Sequence, residues 1–192
     1  MTRIVAIVQA RMGSTRLPNK VMQPVAGVPM IELLLGRLAR SQRIDQIGLA
    51  TSEDPRNQPL ADHVAALGYP VSRGSEDDVL DRFYQAARAL QADVVVRITG
   101  DCPLIDAALV DQVIERFLQG DADYVSNAVP ASFPDGLDTE VGCMAALTRA
   151  WQEATKAFDR EHVTPYLRDS GHFRLATVSA PADYSAERWT VD

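Results

Sequence analysis

Twelve consecutive residues, Gln9-Ala10-Arg11-Met12-Gly13-Ser14-Thr15-Arg16-Leu17-Pro18-Asn19-Lys20, set three cations, one glycine and two hydroxyls within one loop. Arginine presents a planar fork that matches phosphate oxygens, and lysine a compact point charge. Gly13 lets backbone N–H groups approach an anion with no side chain in the way. The inventory suits a polyphosphate, although a solvated basic surface loop has the same composition. The spacing is neither G-x-x-x-x-G-K-[ST] nor G-x-G-x-x-G, which lowers the case for P-loop hydrolysis and for hydride transfer.

Further clusters follow other apolar runs. Thr99-Gly100-Asp101-Cys102-Pro103-Leu104-Ile105-Asp106 places a carboxylate just past a buried strand. Asp101 there is either a ligand for Mg²⁺, which favours one or two carboxylates plus substrate phosphates, or a turn residue. Asp106 reads as the cap of the next helix. Arg73-Gly74-Ser75-Glu76-Asp77-Asp78 either edges a base or ribose with Arg73 and Ser75, or is a helix N-terminal cap. Arg188-Trp189-Thr190-Val191-Asp192 offers a second carboxylate that could join Asp101 at a metal, or an ordinary charged strand end. Asp135, Asp138 and Glu140 crowd a turn entering a strand, where they could hydrogen-bond sugar hydroxyls or simply be solvated. Glu161 and His162 open a helix, and a lone histidine there packs more often than it acts as a base. No Ser-His-Asp or Cys-His arrangement follows from the spacing.

The elements that must position these groups alternate. Strands are expected at Ile4–Gln9, Ile47–Thr51, Tyr69–Ser72 and Val94–Thr99. Helices are expected from Pro29 with Ile31, Leu34, Leu35 and Leu38 on one face, from Pro59 to Leu67, around Val79–Leu90, and around Leu109–Phe117. Such alternation predicts a mainly parallel sheet covered on both faces. In open α/β sheets ligands sit beyond the carboxyl ends of the strands, which is where these clusters fall. The later part is less regular: strands at Tyr124–Asn127, Leu137–Val141, Phe173–Ser179 and Arg188–Asp192, and helices at Ala145–Thr155 and Arg160–Asp169. The last of these strands stops at the final residue, so the expectation is one domain, 1–192, truncated at its C-terminal end.

The net charge of −7 argues against general nucleic-acid binding. It is unevenly placed: residues 1–50 carry seven Lys/Arg against two Asp/Glu, and the rest twelve against twenty-four. A cationic first loop facing acidic later segments suits a nucleotide bound with a divalent metal. Cys102 and Cys143 lack CxxC spacing, and His63, His162 and His172 lack HxxH spacing, so neither a disulfide framework nor a zinc site is expected. With no signal-peptide core and no apolar stretch of membrane-spanning length, a cytoplasmic protein without membrane partners is the expectation.

The loop Gln9–Lys20 resembles the signature of sugar cytidylyltransferases, among them the synthetases of CMP-neuraminate and CMP-3-deoxy-manno-octulosonate. Gly100-Asp101-Cys102-Pro103-Leu104-Ile105 resembles that family's G-D-x-P-L/M-I segment. The branch of spore-coat polysaccharide biosynthesis protein F is matched by RGSEDDVLDR at 73–82, VRITGDCPLID at 96–106, DYVSN at 123–127, PDGLDTE at 134–140 and REHVTPY at 160–166. The resemblance covers nearly the whole chain.

It implies a Rossmann-like three-layer α/β/α fold with a mainly parallel mixed sheet of the glycosyltransferase-A type. It implies transfer of CMP from CTP to a sugar, acidic or otherwise modified, for surface polysaccharide. Arg11, Lys20 and Asp101 would be catalytic. The nucleotide set would be Gln9, Ala10, Arg11, Gly13, Ser14, Arg16, Lys20, Arg73, Ser75 and Thr99, with Arg11, Ser14, Arg16 and Lys20 on the triphosphate. Asp101 and Asp192 would hold Mg²⁺, and Asp135, Asp138, Glu140, Glu161 and His162 would meet the sugar. Related synthetases imply a homodimer. Asn19 stands where many relatives have glycine. A nucleotide-binding module without turnover, or a nucleotidyltransferase using another triphosphate, are the alternatives.

Overall fold

The computed structural model of the protein describes residues 2–14 and 17–191. The chain order is β1 (Ile4–Gln9), β2 (Pro24–Val25), β3 (Val28–Pro29), α1 (Met30–Leu38), β4 (Gln46–Ser52), α2 (Gln58–Ala66), β5 (Val71–Gly74), α3 (Val79–Ala89), β6 (Val94–Thr99) and α4 (Ala107–Phe117). It continues with β7 (Tyr124–Ser126), β8 (Glu140–Cys143), α5 (Met144–Glu153), α6 (Ala157–His162), α7 (Pro165–Asp169) and β9 (Leu175–Thr177). One seven-stranded sheet runs β5-β4-β1-β6-β8-β7-β9. Its strands are parallel except β8, which is antiparallel to both β6 and β7. This is the expected three-layer α/β/α architecture.

The period-2 alternation of a strand explains the layers. Ala6, Val8, Val96 and Ile98 point to the face covered by Leu34, Leu38, Leu60, Val110 and Ile114 of α1, α2 and α4. Val5, Ile7 and Val95 point to the opposite face, under Leu80, Phe83 and Leu147 of α3 and α5. Strands buried on both faces read as continuous apolar runs, which is how β1 and β6 read in the sequence. Moving outward along β6 on the second face, Val95 is core, Arg97 is only partly buried and Thr99 lies at the strand end. The strand thus delivers polar groups to the rim simply by outrunning its helical cover.

From β1 the chain builds outward through β4 to β5, then returns to place β6 on the other side of β1. The order therefore reverses between β1 and β6, and a crevice is expected there, beyond the carboxyl ends of the two strands. The register pairs Gln9 with Thr99. Gly100 donates its N–H to the Gln9 carbonyl at 2.9 Å, extending the contact by one residue. A Cβ on Gly100 would lie 2.6 Å from the Ala10 Cβ, so only glycine permits this approach.

Several elements differ from their sequence expectation. The helix expected over Arg160–Asp169 is two helices, broken at Val163 (φ 71°) with Pro165 opening α7. Proline has no N–H to donate into a preceding turn but fits the first turn of a new helix. The strand expected at Leu137–Val141 begins only at Glu140, and that at Tyr69–Ser72 is shifted to Val71–Gly74. Arg188–Asp192 is not a strand over its described residues: it makes one bridge, Asp135 to Arg188. The β2–β3 hairpin, turned by Ala26 (φ 52°) and Gly27 (φ 84°), has no counterpart among the expected elements. Among the described residues no helix is long and apolar enough to cross a membrane.

Candidate active site

A cleft of about 400 Å³ opens at the β1/β6 switch point. It is lined by Gln9, Ala10, Arg11, Gly13, Ser14 and Lys20 of the first loop, and by Thr99, Gly100 and Asp101 after β6. The structure thus brings together most of the expected nucleotide set and the three expected catalytic residues. Arg16 and Asp192 lie outside the described residues.

The first loop is closed at its base. The Met12 N–H donates to Oδ1 of the buried Asn57 at 2.7 Å, and the Asn19 N–H donates back to the Met12 carbonyl at 3.3 Å. Asn19 is left-handed (φ 57°, ψ 25°) and precedes the 3₁₀ turn Lys20–Met22 that aims Lys20 inward. Asparagine is the non-glycine residue that best tolerates this region, which suits Asn19 to the position. The Lys20 Nζ reaches Asp101 Oδ2 at 3.4 Å. The Arg11 Nη1 donates to Glu76 Oε1 at 2.7 Å. Burial raises the Glu76 carboxyl, but hydrogen bonds from Ser52 and Arg11 and the charges of Arg11 and Arg82 outweigh it and hold the pKa below its ordinary value. The Ser14 hydroxyl accepts from the Leu17 N–H at 3.3 Å, a local turn bond.

Two members of the expected nucleotide set point elsewhere. Arg73 donates from Nε to the Ser52 carbonyl and from Nη2 to the Asp54 carbonyl, each at 3.1 Å, and from Nη1 to Gln58. It braces the 52–58 segment that carries Asn57 and does not line the cleft. The Ser75 hydroxyl accepts from the Asp78 N–H at 3.0 Å, and Asp78 caps α3 by accepting from the Asp81 N–H at 2.9 Å. For this segment the cap geometry is what the structure shows.

Sequence reasoning passed over Arg82 and Arg97, both of which line the cleft. Arg82 is 3% exposed and donates to the Ser75 and Glu76 carbonyls. Burial lowers its pKa against the opposing charge of Glu76. Arg97 donates from Nε to Gln9 Oε1 at 2.9 Å and from Nη1 to Glu140. An arginine at the second position of a D-R pair, or inside an apolar strand, is the only local signal for either.

A second cleft of about 310 Å³ adjoins the first. Arg97, Thr99 and His162 line both; Asp138, Phe158 and Arg168 line the second alone. The expected sugar set is divided by the geometry. Asp138 faces the second cleft, and burial, helped by the charges of Asp135 and Glu140, pushes its carboxyl up to about 6. Glu161 is exposed and lines the first cleft, while His162 lines both. Asp135 is exposed, lines neither cleft, and pairs through Oδ2 with Arg188 Nε at 3.8 Å. Glu140 borders the second cleft but is 7% exposed, and both its oxygens are taken by Arg97 and Tyr124. Burial opposes its ionisation, yet the Arg97 charge and hydrogen bonds from Tyr124 and Thr164 hold its pKa below the ordinary value. Its carboxylate is committed to the protein rather than offered to a sugar.

Two long-range contacts tie the outer segments to this centre. Arg160 forks onto Asp78 at 3.0 Å to both oxygens and donates to the Trp151 carbonyl at 2.7 Å, seating α6 against the start of α3. That seat presents Glu161 and His162. The Val191 N–H donates to the Asp101 carbonyl at 3.0 Å. Gly136 (φ 110°) packs within 2.8 Å of Trp189 backbone, measured from where a Cβ would sit, so the 134–138 turn clasps the segment that leads to Asp101. Cys102 is no nucleophile: burial and the adjacent Asp101 charge push its thiol up to about 12.

The sequence profile of the cytidylyltransferase family matches residues 5–184. The spore coat polysaccharide biosynthesis protein SpsF of Bacillus subtilis is 35% identical over all of this chain and 82% of its own length. A 3-deoxy-manno-octulosonate cytidylyltransferase of Trichlorobacter lovleyi is 38% identical over 60% of this chain and 45% of its own. Among solved structures, a cytidylyltransferase of Leptospira borgpetersenii superposes with a TM-score of 0.95 at 31% identity, covering 100% of this chain and 82% of that one.

Proposed function

Because this chain belongs to the cytidylyltransferase family, we propose that it transfers CMP from CTP to a sugar hydroxyl and releases pyrophosphate. The observation that carries this reading is the cleft at the β1/β6 switch point, where Arg11, Lys20, Arg82 and Arg97 line one crevice together with Asp101 and the exposed Glu161. Four cations in one crevice match a triphosphate, and fixed charges aimed at a developing pyrophosphate stabilise its departure without reorganisation. The names of two relatives, one of polysaccharide biosynthesis and one of an octulosonate sugar, support a sugar as acceptor.

Asp101 fits Mg²⁺. It is a hard oxygen donor beside the phosphate-type cations, and the described residues contain no cluster of three or more ligand side chains. The remaining coordination would come from phosphates and water, the usual arrangement for this ion. Asp192, adjoining the Val191 that bonds to Asp101, would be the second carboxylate. Bound there, Mg²⁺ would supply charge neutralisation between the α-phosphate and the leaving group.

The protein's own groups then divide the work. Arg11 and Lys20 hold the β- and γ-phosphates. The second cleft takes the acceptor, with Arg168 suited to a carboxylate on the sugar and Asp138 to the attacking hydroxyl. With its pKa near 6, Asp138 is an ionised but competent proton acceptor at neutral pH. The test is pyrophosphate release across the four nucleoside triphosphates and a panel of neutral and acidic sugars. Release with CTP and at least one acidic sugar is expected; none with any pairing would remove the reading.

A further inference from the structure

If a nucleotide fills the first cleft and an acceptor the second, the bonds that change must lie where the clefts meet. Arg97, Thr99 and His162 line both. His162 is exposed at the rim, and the Thr99 hydroxyl is engaged with Cys102 Sγ at 3.1 Å. Arg97 is the permanent cation of the three.

Its guanidinium is fixed from two sides. Nε is held by Gln9 at 2.9 Å, and Nη1 by the buried Glu140, which the Tyr124 hydroxyl holds in turn. Nη2 has no hydrogen-bond partner among the described residues, and it is not among the buried atoms that lack one. It therefore opens toward the clefts. As a device for stability the pair is a poor one, because an apolar pair of similar volume commonly does as well. A rigid cation with its free N–H groups at the junction of two ligand spaces is better explained by a ligand.

We propose that Arg97 is a catalytic residue that donates from Nη2 to a non-bridging oxygen of the α-phosphate, the group that moves. This rests on the transfer reading above. The acceptor oxygen bonds to the α-phosphorus and its proton goes to Asp138. The α–β bridging P–O bond breaks, and its electron pair leaves with pyrophosphate. Arg97 meets the phosphoryl oxygens throughout, while Glu140 and Tyr124 are positioning residues that act through it.

The test is Arg97→Lys, which keeps a charge opposite Glu140 but loses the fork. Binding of CMP and of cytidine is measured by calorimetry, with kcat and KM for CTP alongside. Cytidine affinity is expected to stay within about 2-fold, CMP affinity to fall about 10-fold, and kcat to fall on the order of 100-fold, as for loss of one oriented oxyanion donor. A folded Arg97→Lys protein with wild-type CMP affinity and a kcat within about 3-fold of wild type overturns the assignment. Should that variant fail to fold, Arg97→Met with Glu140→Met removes both buried charges together, and the same CMP-against-cytidine comparison decides. A wild-type protein that releases no pyrophosphate with any sugar would count against the transfer reading, while the CMP comparison still judges Arg97.

Discussion

Lys20 and Asp101 face each other at 3.4 Å in the first cleft, one from the loop after β1 and the other from the loop after β6. Their side chains are 14% and 33% exposed, so the pair is neither sealed nor freely hydrated. Each neutralises the charge that the other would present to a ligand. Phosphate must take Lys20, and a cation must take Asp101, for both to gain new partners. On the proposed transfer reading, a metal–triphosphate would replace this pair.

Asp101→Asn should separate the two roles. The fold should persist, since the carboxylate is not a core contact, while metal-dependent turnover falls by at least about 100-fold. Metal-free CTP binding should hold or strengthen as Lys20 is released. Near-normal turnover at saturating Mg²⁺ would take Asp101 out of the metal site.

Asn19 tests the local backbone. Asn19→Gly should leave melting temperature and turnover close to wild type, because glycine occupies the left-handed region freely. Asn19→Val should cost about 1–2 kcal/mol, the left-handed penalty of an ordinary residue. Loss of CTP affinity in the valine variant, with no change for glycine, would trace the effect to the aim of Lys20. Equal behaviour of the two would refute it.

Gly100→Ala drives a methyl to within 2.6 Å of the Ala10 Cβ and 3.1 Å of the Gln9 carbonyl. Neither neighbour is a flexible side-chain tip, so β1 and β6 must part at their carboxyl ends. A destabilisation of about 1–3 kcal/mol, typical of overpacking, is expected in denaturant unfolding. Activity should fall further than stability, because Gln9 and Arg97 shift together.

Asp138 predicts two pH effects. Its folded pKa is raised from 3.8 to about 6, so the folded state binds this proton more tightly than the unfolded one. The stability it contributes is present below about pH 4 and lost as pH rises through 6. Asp138→Asn should therefore stabilise the protein at pH 8 by about 1–2 kcal/mol, after allowance for partial exposure, and by much less at pH 4. Transfer activity of the wild type should fall on the acid side with an apparent pKa near 6 and be largely lost in Asp138→Asn. A destabilised Asn variant at pH 8 would contradict the raised pKa.

Much of this arrangement was legible in the chain. β1 and β6 are apolar runs flanked by loop chemistry, Asp106 caps the helix its position suggested, and the cap expected within 73–78 is made by Asp78. Local signals suffice for such features, because a cap or an amphipathic face is settled within one or two turns. What escaped depends on contacts across many residues. Arg97 finds Glu140 43 residues away, and Arg160 finds Asp78 82 away. Nothing in the spacing says that Arg73 turns its fork onto the 52–58 segment while Arg82 enters the cleft. The break at Val163 had its signal in Pro165, which the helical reading of Arg160–Asp169 overrode.

The Val191 N–H bond to Asp101 bears on the order in which the site is assembled. β1, its loop and β6 can pair as soon as they have been synthesised, since their contacts close early. The backbone of Asp101 acquires its last tether only when residues some ninety positions later emerge. During synthesis at roughly 5–20 residues per second, the cationic first loop would wait roughly 5–18 s beside an untethered carboxylate loop. A nascent chain would then carry its cationic loop well before the surroundings of Asp101 are complete.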